Sequence, residues 1–409
     1  TIALVKYSAD EDFNYQFIID SFESKEKKKK KENAPVDFQV EEINLENSNF
    51  AYKNEHDTLI TTGVNYFDLE TRGINGQITN FQLDHDTIYA GINHLSAIEK
   101  SGFVLNNLSS SRVKVNSIEM NAQDLHIKTP FSEIATDLTF NYSRYRDYYD
   151  FIDKVKMKAQ FNHSKLDLSD IAYFAPELKG IHKKLTITGK ANGKVNDIRG
   201  KDMLISFGEL SSFAGDISLT GLPNIDETVI RLTVKNAITS YSDLKEIPVP
   251  PFEKNETLQI SPELKKLGKM YFKGTFTGLY NDFYAYGNFS CDLGKLSSDL
   301  SLRRDETIKR EVYKGQLKSS NFDFGKFFDI PALGKVTANV NIHGSGLTLE
   351  EVAAKLDGTI NSMELNSYTY KNIEVKGDAA KRIFNGELNI NDENIDFDFS
   401  GKVDFTQKL

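Results

Sequence analysis

One pattern constrains this chain more than any other: in run after run, apolar and polar residues alternate with a period of two. The clearest case is Ile395-Asp-Phe397-Asp-Phe399-Ser-Gly401-Lys-Val403-Asp-Phe405, where every odd position is apolar or glycine and every even one polar. Neighbouring side chains of a β-strand point to opposite faces, so such a run has one oily face and one wet face. It follows Phe384-Asn-Gly386-Glu-Leu388-Asn-Ile390 across Asn391-Asp-Glu-Asn394, four residues that favour a tight reversal, and the two runs read as a hairpin. The oily face of that hairpin needs a cover, and what covers it is the functional question.

The same alternation predicts strands almost continuously from residue 36 onward. In the first stretch they fall near 36–40, 43–52, 59–69, 76–83, 87–95, 102–107, 112–120, 122–129 and 133–142. A short helix is expected over 147–155. A second, capped by Ser169, runs through Leu178 to Gly180. Then come very regular runs at 185–195, 213–221 and 230–234. Ile247-Pro248-Val-Pro250-Pro251-Phe252 breaks the pattern, because three prolines do not fit inside a ladder, and it reads as a connection. Ser261-Pro262 opens a helical turn that carries Leu264 and Leu267. Strands resume at 270–278, 283–291, 296–302 and 312–317, followed by a turn or helix at 322–328 and strands at 336–342, 358–365 and 368–377. Ahead of all this, residues 2–5 read as a strand, and residues 12–22 as a helix with Phe13, Phe17, Ile18 and Phe22 on one face. Lys25 to Lys31 form a self-repelling loop, a solvated tether or a contact for acidic lipid headgroups. The chain therefore divides into 1–35, a first β section at 36–165 and a second at 166–409, continuous with the first.

A weaker repeat runs through the later strands: apolar, any residue, Gly, polar, apolar. It occurs at Phe213-Ala-Gly215, Phe272-Lys-Gly274, Tyr313-Lys-Gly315, Val375-Lys-Gly377, Phe384-Asn-Gly386 and Phe399-Ser-Gly401. Each glycine falls on the oily face. It either marks a bulge or barrel corner, or leaves a gap on a concave surface and lets the strand bend.

Composition narrows the function classes. The 409 residues suit two or three ordinary domains or one very elongated one. Counting Gly and leaving out Tyr, about 41% of residues are apolar, a little under the usual ~45–50%. A net charge of −9 argues against general nucleic-acid binding, which draws on a basic face. Cys291 is the one cysteine, so no disulfide forms within the chain, a usage that fits either the cytosol or a periplasm. No run of 18 apolar residues is present. The sequence starts at Thr1 without a leader pattern and reads as an interior piece of a longer chain, whose targeting signal or anchor would lie upstream.

Residues that carry chemistry are few. His56, His85, His94, His126, His163, His182 and His343 are scattered with no metal-ligand spacing, and they read as structural or surface groups. Gly189 to Gly193 lies inside a strand pattern and not at a strand-to-helix turn, so it is no phosphate loop. Asp396 and Asp398 sit on a wet strand face as solvating charges, and Cys291 falls on an oily face with Phe289. No catalytic residue, metal site or cofactor is expected. The oily stripe itself is the site candidate. Filling the core of a sandwich or closed barrel is the alternative use for it, but the pattern runs on for hundreds of residues without a clear domain break.

Certain stretches resemble a known family. Val36 to Lys53 is similar to the unit "strand, Ile-x-Leu-x-Asn, aromatic-x-Tyr" of AsmA-like proteins. Leu168-Ser-Asp170-Ile-Ala-Tyr173-Phe174-Ala-Pro176-Glu-Leu178-Lys-Gly180, the run from Gly208 to Gly221-Leu-Pro223, and Leu264-Lys-Lys-Leu267-Gly268 through Gly278 resemble the TamB proteins of Bacteroidota. The resemblance covers essentially the whole chain, and the order of the motifs carries it. It implies an elongated, curled antiparallel β-sheet groove with a few short helices, as in bridge-like lipid-transfer proteins. It also implies a periplasmic setting, an inner-membrane anchor upstream and an Omp85-type, TamA-like outer-membrane barrel as partner, both through regions outside this segment. The expected function is movement of phospholipid between the membranes. The alternative is a non-enzymatic assembly factor that chaperones outer-membrane proteins. About two dozen strands at ~4.8 Å would extend roughly 115 Å. The residues expected to line the groove for phospholipid acyl chains are Ile187, Val195, Phe213, Ile217, Leu219, Phe272, Phe276, Phe289, Val336, Val340, Ile342, Ile373, Val375, Leu388, Ile390, Ile395, Phe397, Phe399, Val403 and Phe405.

Overall fold

The computed structural model describes residues 2–6, 38–54, 63–305, 307–346 and 350–404. The expected helix at 12–22, the lysine run and Phe405 lie outside them. The fold is mainly β, with 68% of residues in strands and 11% in helices, and its antiparallel sheet is not closed into a barrel. The expected class, a long antiparallel sheet with a few short helices, is what the chain forms. Two compact units divide it: Thr1–Gly200 with Pro250–Asn255, and Lys201–Val249 with Glu256–Leu409.

In the first unit β1 (Ile2–Lys6) runs parallel to β2 (Phe38–Asn54), with Ile2 opposite Phe50. An antiparallel series follows: β3 (Asp68–Asp84), β4 (Thr87–Glu99), the two-residue β5 (Val104–Leu105), β6 (Asn107–Val115), β7 (Glu119–Lys128), β8 (Glu133–Asn141), β9 (Lys156–Asp167) and β10 (Lys184–Lys194). Side chains sort by face as the alternation requires. Met120, Phe140 and Met157 line up across β7, β8 and β9 on the inner face, beside Ala122, Leu138 and Ala159. Lys156, Lys158 and Gln160 stand exposed on the other face.

Three local expectations for this unit are corrected. Residues 63–67 are not strand, 59–62 lie outside the described residues, and the end of the run expected at 59–69 joins the run at 76–83 in one 17-residue strand, β3, entered at Asp68. Its pairing with β4 carries register shifts at Arg72/Asn75, Gln77/Ile78 and Thr79/Gln82. The expected strand at 112–120 is interrupted, because the Asn116 side-chain oxygen accepts the N–H groups of Ile118 (3.1 Å) and Glu119 (2.9 Å) and closes a turn. The helix expected from an N-cap at Ser169 is capped two residues earlier, by Asp167. Asp167 accepts from the Ser169 N–H at 3.0 Å and from its hydroxyl at 2.7 Å, and the α-helix spans only Leu168–Ile171 before a 3₁₀ turn at Pro176–Leu178.

β11 (Asp197–Phe207) runs across the division between the units. No strand was expected there, because Asp202 takes φ +51° and shifts the apolar parity from Ile198 and Gly200 to Met203, Ile205 and Phe207. The second unit continues with β12 (Ser211–Thr220), β13 (Val229–Ser240), β14 (Lys269–Gly278), β15 (Asp282–Cys291), β16 (Gly294–Asp305), β17 (Arg310–Asp323), β18 (Leu333–Ser345), β19 (Ala353–Leu365), β20 (Tyr368–Ala380), β21 (Ile383–Asp392) and β22 (Ile395–Asp404). Each pairs antiparallel with the next. Short helices occupy its connections at Tyr241–Leu244, Pro262–Leu267 and Phe324–Phe328, the last two where they were expected.

Candidate functional site

The register of the second unit turns its alternating strands into continuous apolar rows. One row reads Gly215, Val234, Gly274, Gly287, Ser298, Leu317, Val340, Gly358, Val375, Leu388, Phe399, one residue from each strand from β12 to β22. On one side lies Phe213, Ala237, Phe272, Phe289, Leu296, Ser319, Ala338, Ile360, Ile373, Ile390, Phe397; on the other, Ile217, Leu232, Phe276, Ala285, Leu300, Gly315, Ile342, Leu356, Gly377, Gly386, Gly401. A fourth runs from Leu219 and Ile230 through Phe283 and Leu302 to Phe384 and Val403. At about 4.8 Å per strand, ten spacings give each row roughly 48 Å.

The few polar atoms on this face are turned inward to the backbone. Ser319 donates to the Val336 carbonyl at 2.9 Å and accepts from the Ala338 N–H at 3.0 Å. Ser298 donates to the Ala285 carbonyl at 3.4 Å. The Tyr313 hydroxyl donates to the Gly346 carbonyl at 3.1 Å, and burial pushes its pKa up to about 12. The surface left over is hydrocarbon.

Protein covers that surface only in part. At the margin where β14 begins and β17 ends, the helical connections fold over it. Leu267, Met270 and Phe322 form a buried nucleus there, with Leu244, Leu264, Phe289, Cys291, Leu296, Phe324 and Phe327 packed against it. Burial pushes the Cys291 thiol pKa up. Away from that cluster Ile217, Leu219, Phe276, Val340, Ile342, Leu388, Ile390, Phe399 and Val403 are only half-buried. Val336, Ile373 and Val375 are buried, whereas Ile395 and Phe397 on β22 stay 36% and 45% exposed. Phe272 is half-buried beside the covered cluster. Ile187 and Val195 belong to the first unit, Ile187 on β10 and Val195 in the turn after it, both half-buried.

The glycines behave differently from the simplest expectation of empty notches. A Cβ on Gly215 would stand 3.1 Å from the ring of Phe213, one on Gly386 3.0 Å from the ring of Phe384, and one on Gly401 3.3 Å from the ring of Phe399. In each case the phenylalanine two residues earlier lays its ring over the glycine, so the floor is flat and aromatic. Gly215 and Gly274 both pair with Val234 at register shifts of β13; Gly377, Gly386 and Gly401 face one another in an unbroken ladder. Leu232, Leu300, Leu317 and Leu356 complete the rows although they were not among the expected lining residues. Their alternation was visible, but their alignment depends on inter-strand register.

On the opposite face stand Lys273, Asn288, Asn339, Thr359, Glu374, Asn389 and Asp398, all exposed. Two depressions of about 680 and 580 Å³ lie between the polar rows of this face. Lys314, Lys355 and Lys376 mix with Asp357, Asp378 and Glu387 along the first, which favours no charge class, whereas the second has Asp357, Glu374, Glu387 and Asp398 against Lys376 and is acidic. No three His, Cys, Asp or Glu side chains converge as a metal site among the described residues. The buried carboxylates are structural. Asp243 accepts the N–H groups of Glu209 (3.1 Å), Leu210 (2.9 Å) and Ser211 (2.7 Å). Burial alone would raise its pKa; those donors and the Ser211 hydroxyl more than offset it and hold the carboxyl below the usual range. Compared with known proteins, the chain matches no family model, no curated protein and no solved structure.

Proposed function

We propose that the second unit binds phospholipid acyl chains along its apolar rows, and that the chain is a TamB-type, AsmA-like segment for carrying phospholipid between two membranes. The observation that carries this reading is the incomplete cover. Four hydrocarbon rows cross eleven strands, and outside one helical margin most of their side chains remain half-exposed, with Val234, Ile373, Val375 and Phe384 among the buried exceptions. Soluble proteins seldom leave a contiguous apolar patch of that extent unless something docks on it. An acyl chain lying there removes its own methylenes from water, each worth about 0.8 kcal/mol, while the headgroup stays solvated at the edge. Such transfer breaks no bond, so no residue is assigned a catalytic role. The periplasmic setting, the upstream inner-membrane anchor and the Omp85-type partner follow from the family resemblance and form part of the same proposal.

Val340→Asp and Leu388→Asp test the reading, since both positions are half-buried and tolerate a charge better than a packed core would. Each variant is expected to keep its circular dichroism spectrum and to lose most of the phospholipid that co-purifies with the chain, measured by mass spectrometry. Unchanged phospholipid content in folded variants would overturn the proposal. Peptide in place of phospholipid would favour the strand-chaperoning alternative.

A further inference from the structure

The first unit also has an apolar inner face, but there the chain supplies a cover of its own. The connection from β8 to β9 consists of a 3₁₀ turn at Tyr145–Asp150 and one α-helical turn at Phe151–Lys154. It leaves from the margin where β7 begins and β8 ends, and folds back over the inner row of Met120, Phe140 and Met157. The rings of Tyr148 and Phe151 pack on Phe140, 6.4 and 5.3 Å between centroids. The Tyr148 hydroxyl reaches the Met120 sulfur at 3.7 Å. Asp147 fixes the base of the turn by accepting the N–H groups of Ser143 (2.9 Å) and Arg144 (3.2 Å), and Val155 at its other end is fully buried, 0% exposed.

The far side of this cover touches the other margin. Tyr149 stacks on Phe67 with centroids 5.2 Å apart and planes 24° from parallel. Phe67 immediately precedes β3, at the margin where β3 begins and β4 and β7 end. Its loop is firmly held: the Phe67 N–H donates to the Asn65 side chain at 3.0 Å, and the Val64 N–H to the Tyr173 carbonyl at 2.8 Å, with Val64 and Asn65 both buried. The anchors meet in a ring pair at the surface, where Tyr149 is 62% exposed. That pair by itself favours the closed arrangement by a factor of roughly five.

We propose that residues 142–155 form a hinged flap across the apolar face of the first unit, latched by Phe67 and Tyr149. An apolar chain enters that face from the side only when the latch opens. The inference rests on the acyl-chain reading above for its cargo, and on the geometry of this unit alone for its mechanism.

The test uses the full chain with Cys291→Ser and with Val340→Asp and Leu388→Asp, which disable the open rows of the second unit, carrying Phe67→Cys and Tyr149→Cys, bridged by a short bis-maleimide with a reducible disulfide in its spacer. The probe is phosphatidylethanolamine with a fluorescent acyl chain, presented in phosphatidylcholine vesicles and read as its rate of transfer to protein. The bridge is expected to form in the folded protein and not in urea, and to slow loading at least ten-fold. Reduction is expected to restore loading to a rate above that of the parent that lacks the two latch cysteines, and Tyr149→Ala in that parent to load several-fold faster than the parent itself. Complete bridging with unaltered loading would overturn the flap and leave the acyl-chain reading standing. Failure to bridge in the folded state would show that the margins do not meet. Absence of loading in every form, wild type included, would remove both proposals together.

Discussion

At Gly315 the backbone takes φ +146°, and a Cβ there would stand 2.0 Å from the carbonyl oxygen of Asp299 on the neighbouring strand. No side chain fits without moving the ladder, so glycine at this point in the rows is a steric requirement. Gly315→Ala is expected to cost about 2 kcal/mol, a fall in Tm of roughly 4–8 °C by calorimetry. Asp243 is the second decisive residue. Asp243→Ala leaves three backbone N–H groups and the Ser211 hydroxyl without their acceptor, which costs about 3 kcal/mol. The native state holds this carboxyl below its ordinary value, so its ionised form contributes stability above the unfolded pKa of about 3.9, and that contribution is lost as pH falls through the lower folded value. Urea midpoints of wild type and Asp243→Asn are therefore expected to differ at pH 6 and to converge as pH drops below about 4; a gap independent of pH would assign Asp243 a purely steric role.

Among the elements, two of the short helices share one design. Asp170, in the helix after β9, accepts from the Thr129 hydroxyl at 2.6 Å and from the Ser132 hydroxyl, gripping the β7–β8 turn. Asp243, in the helix after β13, grips the β11–β12 turn in the same way. Each is the third helical residue behind an N-cap that accepts from the helix, Asp167 in one and Ser240 in the other. Asp170→Ala is expected to speed amide exchange at 129–132 and 168–171 while leaving β3 and β4 unchanged; uniform acceleration through the unit would contradict a local grip. Period-two alternation made nearly every strand legible, because burial of one face acts residue by residue. It failed where a bulge shifts the parity, as at Asp202 in β11, or where a side chain closes a turn inside an alternating run, as at Asn116. Rings laid over glycines were not legible either, since a notch and a covered notch share one sequence. Alignment of Leu317 with Val340 and of Gly377 with Gly386 depends on register, which local pattern leaves open.

At the scale of the whole molecule, the two units treat the same kind of surface differently. The first folds a connection over its inner face and joins its margins through Phe67 and Tyr149. The second covers one margin with helices and leaves most of the rest of its rows half-exposed. An apolar content of about 41%, below the usual ~45–50%, fits a sheet with little oil to spare for a second layer. The account depends on hydrocarbon from outside the chain completing that layer. Site-specific photo-crosslinking measures this most directly, with benzoylphenylalanine placed singly at Val340 and Leu388 on the apolar face and at Asn341 and Asn389 on the polar face. Phospholipid adducts at Val340 and Leu388 alone are the predicted result; no adducts, or equal adducts on both faces, would contradict the account.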